Sequence, residues 1–249
     1  FAKYKIEKLP LVDKKGMLQG LITASDFSKI NKHQLSAKDK KGRLLVGAAI
    51  GVKDGLERSE KLIKVGVDVL VIDIAHGHHK TCIDLVKSLK KKHKNIDVVA
   101  GNIATADGAK DLISAGADAI KVGIGPGAVC STRIVAGAGV PQVTAIMEAS
   151  KFAKKYNVPV IADGGIRNSG DLAKAVAAGA SSAMIGSLFA GTKESPGEYF
   201  IENGGAVKVY RGLASRDASI DRDALEKNTE RQERAPEGVS ARVNYKGEV

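Results

Sequence analysis

The sequence predicts an α/β fold, a (β/α)8 TIM barrel of which six βα units are visible. Three observations carry that expectation. From about residue 44 onward, short apolar runs alternate with amphipathic helical patterns, the mark of βα repetition. Three helix-to-strand junctions echo one another, Val65-Gly-Val-Asp-Val, Ala115-Gly-Ala-Asp-Ala and Ala178-Gly-Ala-Ser-Ser, each with glycine where a left-handed helix cap needs it. The polar and reactive motifs follow the apolar runs directly, on the loops where a barrel gathers its functional groups.

Taken in order, the chain starts unlike a barrel. Residues 6–13 and 18–26 make a hairpin-like pair around a Lys-Lys-Gly turn and lead into a short helix. Strands are predicted at residues 44–50, 67–74, 97–100, 119–122, 158–162 and 183–185, because each is a short apolar run suited to a buried parallel strand. Helices are predicted at 55–65, 81–92, 106–115, 144–156 and 169–178, where the apolar period becomes helical. Six strands rather than eight mean either that two βα units precede residue 1 or that the sheet is open and doubly wound; the missing units are the preferred explanation.

Composition narrows the function. With 249 residues and 43% hydrophobic content the chain can bury one substantial core. No apolar run approaches the roughly 20 residues that span a bilayer. The start, Phe1-Ala-Lys-Tyr-Lys-Ile-Glu-Lys8, lacks the apolar stretch of a secretory signal, so a cytoplasmic location is expected. Two cysteines, Cys82 and Cys130, make neither a disulfide framework nor a four-ligand zinc site. The net charge of +11 raises nucleic acid as a partner, but 4% aromatic content offers few stacking platforms, so none is expected to be required. Attraction of anionic nucleotides is the role left for that charge. The densest basic run, Lys90-Lys-Lys-His-Lys94, is read as a solvated helix end.

Candidate chemistry concentrates in Lys121-Val-Gly-Ile-Gly-Pro-Gly-Ala-Val-Cys-Ser-Thr-Arg133. Gly123, Gly125 and Gly127 let main chain approach a ligand closely, Cys130 is a soft nucleophile, and Thr132 can handle a proton or water beside it. A lone cysteine is more often an inert core residue, but Cys130 stands outside any apolar periodic run. Two later strand ends, Asp163-Gly-Gly-Ile166 and Gly186-Ser187, suit a phosphate held by backbone N–H groups, as barrels often arrange on their last two strand loops. Gly165, Gly186 and Ser187 would then face the phosphate, and Asp163 the sugar hydroxyls. Asp73 ends the second strand and can accept hydrogen bonds from a ribose diol. Asn102, at the next strand end, either adds an amide contact or caps the following helix. His76, His78 and His79 point in different directions without completing carboxylates, so they are read as solvated loop residues rather than metal ligands.

With Gly137-Ala-Gly-Val-Pro-Gln142, Met184-Ile-Gly-Ser187, Glu194-Ser-Pro-Gly-Glu198 and Tyr210-Arg-Gly212 added to these motifs, the chain resembles the inosine-5′-monophosphate dehydrogenase / guanosine-5′-monophosphate reductase family over nearly all of residues 33–249. The resemblance implies a remnant of a cystathionine-β-synthase-type (CBS) regulatory module over 1–33, and a catalytic barrel over 34–249 with a mobile flap around 214–236. It further implies that Cys130 adds to C2 of inosine monophosphate (IMP), that hydride leaves for NAD, and that water then releases xanthosine monophosphate. Thr132 matches the hydroxyl near that water. Asp163, Gly164, Gly165, Gly186, Ser187, Tyr210, Arg211, Gly212, Leu213, Ala214 and Glu237 match contacts to the mononucleotide. Asp73, Asn102, Gly123, Ile124 and Gly125 match the dinucleotide side. The carbonyls of Gly125, Gly127 and Cys130 match a potassium site, and a homotetramer is implied.

Several positions depart from the family's pattern. Ala128 replaces a usual serine, and Leu213-Ala214 replaces Met-Gly; one lost hydroxyl contact costs about 0.5 to 1.5 kcal/mol of binding. The family's flap carries an Arg-Tyr pair whose arginine activates water, and no such pair exists here; Arg222 is the nearest candidate, with Asp223 where tyrosine is expected. That absence favours an NADPH-dependent reductase of guanosine monophosphate (GMP) as the alternative. A purine-nucleotide-binding regulator without turnover is the alternative from another class.

Overall fold

Six short strands of the chain pair side by side in the order in which the sequence makes them. The fold is that of a computed structural model describing residues 1–32, 35–225 and 235–249. It separates into two units, Phe1–Val46 and Gly47–Val249.

In the first unit, β1 (Lys8–Val12) and β2 (Leu18–Thr23) pair antiparallel and run into α1 (Ala24–Lys32), as the hairpin reading expects. Asp13 builds the turn: its carboxylate accepts the N–H of Lys15 at 2.8 Å and of Met17 at 3.0 Å. Asp26 does the same for the helix start, accepting the Thr23 N–H at 2.7 Å and its hydroxyl at 2.9 Å.

In the second unit the parallel strands are β3 (Gly47–Ile50), β4 (Val69–Asp73), β5 (Asp97–Ile103), β6 (Ala119–Val122), β7 (Val160–Asp163) and β8 (Ser182–Met184). Between them run α2 (Gly55–Lys64), α3 (Lys80–Lys92), α4 (Ala106–Ser114), α5 (Thr132–Val135), α6 (Gln142–Ala153) with a 3-10 turn (Lys154–Tyr156), and α7 (Ser169–Ala177). The sheet order is β3-β4-β5-β6-β7-β8. A doubly wound sheet reverses its strand order at a switch point, and this one never does, so the alternative of an open doubly wound sheet fails. The winding is that of a barrel segment.

Local signals place the helix ends. Gly66, Gly116 and Gly179, the glycines of the repeated junction, have φ of +90°, +103° and +112°. Thr105 caps α4 by accepting the Gly108 N–H at 3.1 Å, and Asn168 caps α7 by accepting that of Asp171 at 3.0 Å.

The sheet has two unlike faces. Leu70, Ile72, Val98, Ala100, Ile120, Val122, Val160 and Ala162 are buried with Val86 and Leu89 of α3, Leu112 of α4 and Ile146 of α6. The alternate residues line the other face, where Val69, Val71, Ile161 and Asp163 stay half-buried. That inner face ends in polar groups, and they begin the site.

Two expectations change. The basic run after α3 is not simply solvated: Lys90 Nζ bonds Asp118 Oδ2 at 2.8 Å and the Ile96 carbonyl at 2.9 Å, and Lys92 pairs with Glu60. The C-terminal part also holds structure that no periodicity announced, namely α8 (Ser187–Ala190), α9 (Arg216–Leu225) and an antiparallel sheet of β9 (Tyr199–Glu202), β10 (Gly205–Arg211) and β11 (Ser240–Asn244), ordered β11-β10-β9. Among the described residues no helix is long and apolar enough to cross a membrane.

Ile120 is fully buried at the centre of the sheet. Replacing it with alanine removes three carbons from a packed interior, so Ile120→Ala is expected to lower unfolding free energy by about 2–5 kcal/mol in a urea titration. An unchanged midpoint would contradict this core.

Candidate active site

The site is built from the C-terminal ends of β4 to β8 and from the loop that follows β6. Asp73 and Asp163 are the last residues of β4 and β7. Lys121 of β6 lies between them, only 2% exposed, with Nζ 3.0 Å from Asp73 Oδ1 and hydrogen-bonded to Asp163 Oδ2. Asn102, near the end of β5, donates its amide to Asp163 Oδ2 at 3.0 Å and to the Gly123 carbonyl at 2.8 Å. It does not cap α4, a task that Thr105 performs.

The cysteine loop is pressed onto these strand ends. At Gly123, φ is +150° and a Cβ would lie 2.2 Å from the Asp163 carbonyl oxygen, so only glycine permits the approach. Gln142 locks the same junction, donating to the carbonyls of Val122 at 2.9 Å and Asp163 at 3.2 Å. Arg133 closes the loop by donating to the carbonyls of Ile124 at 3.3 Å and Val140 at 2.6 Å. Gly164 and Gly165 follow Asp163 against Pro126 of the loop.

Cys130 is held in a small backbone lattice. The Val239 N–H donates to the Val129 carbonyl at 2.9 Å and the Ser131 N–H to the Glu237 carbonyl at 2.8 Å, so residues 237–239 lie beside the cysteine. On their other side, the Gly212 N–H donates to Val239 at 3.1 Å and the Glu237 N–H to Ala214 at 3.2 Å. These bonds flank Cys130 and leave its own carbonyl without a backbone partner among the described residues, while the Gly127 carbonyl accepts the Cys130 N–H at 3.1 Å. The thiol itself is half-buried, and its sulfur donates to Thr132 Oγ1 at 3.3 Å; that hydroxyl donates in turn to Glu237 Oε2 at 2.7 Å. A nucleophile, a hydroxyl and a carboxylate thus stand in line.

Mononucleotide candidates gather around β8 and β10. A cavity of about 400 Å³ is lined by Gly186, Phe189, Thr192, Glu194, Ser195 and Tyr210, among others. Burial raises the Tyr210 hydroxyl above the usual phenol range, and the nearby Asp163 charge adds to the effect. Gly186 and Ser187 start α8 beside that cavity. Arg211 pairs with Asp221 of α9 at 2.6 Å, and Leu213 is 76% exposed. The backbone of Arg222 falls in α9, while its side chain and residues 226–234 of the expected flap lie outside the described residues.

The histidines have ordinary work. His79 accepts the Thr81 N–H at the start of α3, and His78 lies 2.9 Å from Asp111. Among the described residues no group of three His, Cys, Asp or Glu could hold a metal ion. Asn102 Oδ1 and Gln142 Oε1 are buried beside the strand ends without a hydrogen-bond partner among the described residues. Sequence reasoning missed Lys121 and Gln142 as site residues. Lys121 was detectable as the one charge inside the β6 apolar run, whereas nothing local marked Gln142.

A family model described as the IMP dehydrogenase / GMP reductase domain matches residues 18–249. An inosine-5′-monophosphate dehydrogenase of Aquifex aeolicus is 54% identical over 252 residues, covering 100% of this chain and 51% of that protein. One from Nitrosopumilus maritimus is 53% identical, covering 99% of this chain and 53% of its own length. A crystal structure of GMP reductase from Trypanosoma brucei in complex with guanosine 5′-monophosphate superposes with a TM-score of 0.91 at 45% identity, covering 99% of this chain and 51% of that one. The chain spans about half the length of the relatives it matches.

The two thiols should differ in reactivity. Cys82 is fully buried in α3 and burial pushes its thiol up to about 11, so it is protonated at pH 8 and shielded. Iodoacetamide at pH 8 is expected to label Cys130 alone in the folded protein, and both cysteines in urea, as read by peptide mass spectrometry. Labelling of Cys82 first would contradict the assignment.

Proposed function

The chain belongs to the IMP dehydrogenase / GMP reductase family, and from that premise we propose that it oxidises IMP to xanthosine monophosphate with NAD through a covalent adduct on Cys130. The observation that carries the proposal is the line from Cys130 through Thr132 to Glu237, at 3.3 and 2.7 Å, beside two strand-end carboxylates.

Cys130 attacks C2 of the purine as its thiol proton passes to Thr132 and from there to Glu237. A C–S bond forms, and the C2 hydrogen departs with its electron pair. A nicotinamide dinucleotide, when bound, would supply the acceptor for that hydrogen. Glu237 then releases that proton to solvent; water adds at C2 while giving one proton through Thr132 to Glu237, and as the C–S bond breaks the departing thiolate takes this proton back, restoring the Cys130 thiol. Asp163 and Tyr210 hold the sugar and Gly164, Gly165, Gly186, Ser187 and Gly212 the phosphate side, with Arg211, Leu213 and Ala214 completing that wall. Asp73, Asn102 and Gly123 to Gly125 hold the dinucleotide. A role for Arg222 in activating water remains part of the proposal.

The carbonyls of Gly125, Gly127 and Cys130 would hold potassium; the uncommitted Cys130 carbonyl and an oxygen-only donor set support this. The first unit is proposed as the tail of a CBS-type regulatory module, and the whole protein as a cytoplasmic homotetramer, on the family's account.

The second reading, NADPH-dependent reduction of GMP, is favoured by the missing Arg-Tyr pair and by the likeness to the reductase structure. Incubating the protein with IMP plus NAD, and separately with GMP plus NADPH, decides between them: nicotinamide absorbance is expected to rise with the first pair and to stay constant with the second. Consumption of NADPH alone would reverse the choice.

Cys130→Ala is expected to abolish turnover while leaving IMP binding measurable by calorimetry. Glu237→Gln keeps the shape but removes the proton acceptor, and is expected to lower kcat by about 10²-fold or more. Wild-type kcat in Glu237→Gln would remove Glu237 from the mechanism.

A further inference from the structure

Both strand-end carboxylates have a proposed task, whereas the charge between them has none. Lys121 is 2% exposed, while the side chains of Asp73 and Asp163 are 32% and 22% exposed. The ammonium takes one oxygen from each. Asp73 Oδ2 and Asp163 Oδ1 have no hydrogen-bond partner among the described residues, so each carboxylate keeps one oxygen for a ligand.

The backbone makes room for this arrangement. Asp73, Gly101 and Lys121 share one row across β4, β5 and β6. A Cβ on Gly101 would stand 2.7 Å from Lys121 Cβ, so the missing side chain lets the lysine reach across β5 to Asp73. Two carboxylates around one ammonium leave a net charge of −1, and without the ammonium they repel.

We propose that Lys121 is a positioning residue that couples the two nucleotide subsites, holding Asp163 for the mononucleotide ribose and Asp73 for the dinucleotide ribose through one buried charge. The inference rests on the reading of Asp73 and Asp163 as sugar-binding carboxylates. It requires that loss of one side chain weaken both ligands, although each carboxylate would serve only its own.

The test is made by calorimetry in the Cys130→Ala background, where turnover does not interfere, with IMP and NAD titrated separately. K121M is expected to weaken each ligand by about tenfold or more, the loss of a charge-assisted hydrogen bond. D73N is expected to weaken NAD alone. The double variant K121M/D73N should bind NAD no more weakly than the weaker single variant, because both act through one contact; a merely structural lysine gives additive losses instead. K121R should restore part of both affinities. If K121M does not fold, K121Q is measured in its place with the same expectations. Unchanged affinity for either nucleotide, or additive losses, overturns the proposal. Failure of the wild type to form NADH from IMP overturns only the proposed reaction, since the lysine inference is decided by the dissociation constants.

Discussion

A buried ammonium group at the end of β6 sets the electrostatics of the whole rim. Removing one partner from a buried ion pair costs about 3–5 kcal/mol, because the remaining charge is left uncompensated. Lys121 avoids that state by meeting two carboxylates, and its charge offsets their mutual repulsion. Asn102 shares the load on Asp163 and ties it to the cysteine loop through the Gly123 carbonyl. The rim is therefore a connected polar network, in which β4, β5, β6 and β7 each contribute one member.

Upon that rim the reactive loop depends on packing rather than charge. Gly123 lets two backbones touch, and Gln142 bonds both sides of the contact. The far side of the loop is held by main-chain hydrogen bonds to residues 237–239, which sit between the cysteine and residues 212–215. Backbone hydrogen bonds are indifferent to side-chain identity, which is consistent with the departures at Ala128, Leu213 and Ala214 leaving the lattice intact.

The six strands and five principal helices were legible because each carries its own period, and the glycine junctions mark the boundaries within a residue or two. The antiparallel sheet was not, because β11 reaches β10 across a wide separation in the chain, Ser240 facing Arg211, although β9 and β10 join in a tight hairpin at Asn203-Gly204. Cys130, Thr132, Asp163 and Asp73 could be picked out by chemistry and position. Lys121 could not be assigned, since its partners lie 48 and 42 residues away. The same holds for Lys90, whose pairing with Asp118 turns an apparently solvated run into a tertiary contact.

Thr132 and Glu237 are 105 residues apart in the chain. During synthesis the thiol emerges from the ribosome long before Glu237, and the lattice around Cys130 closes only when the C-terminal segment has docked. The alignment of thiol, hydroxyl and carboxylate is thus a product of the finished fold and is absent from any shorter nascent chain.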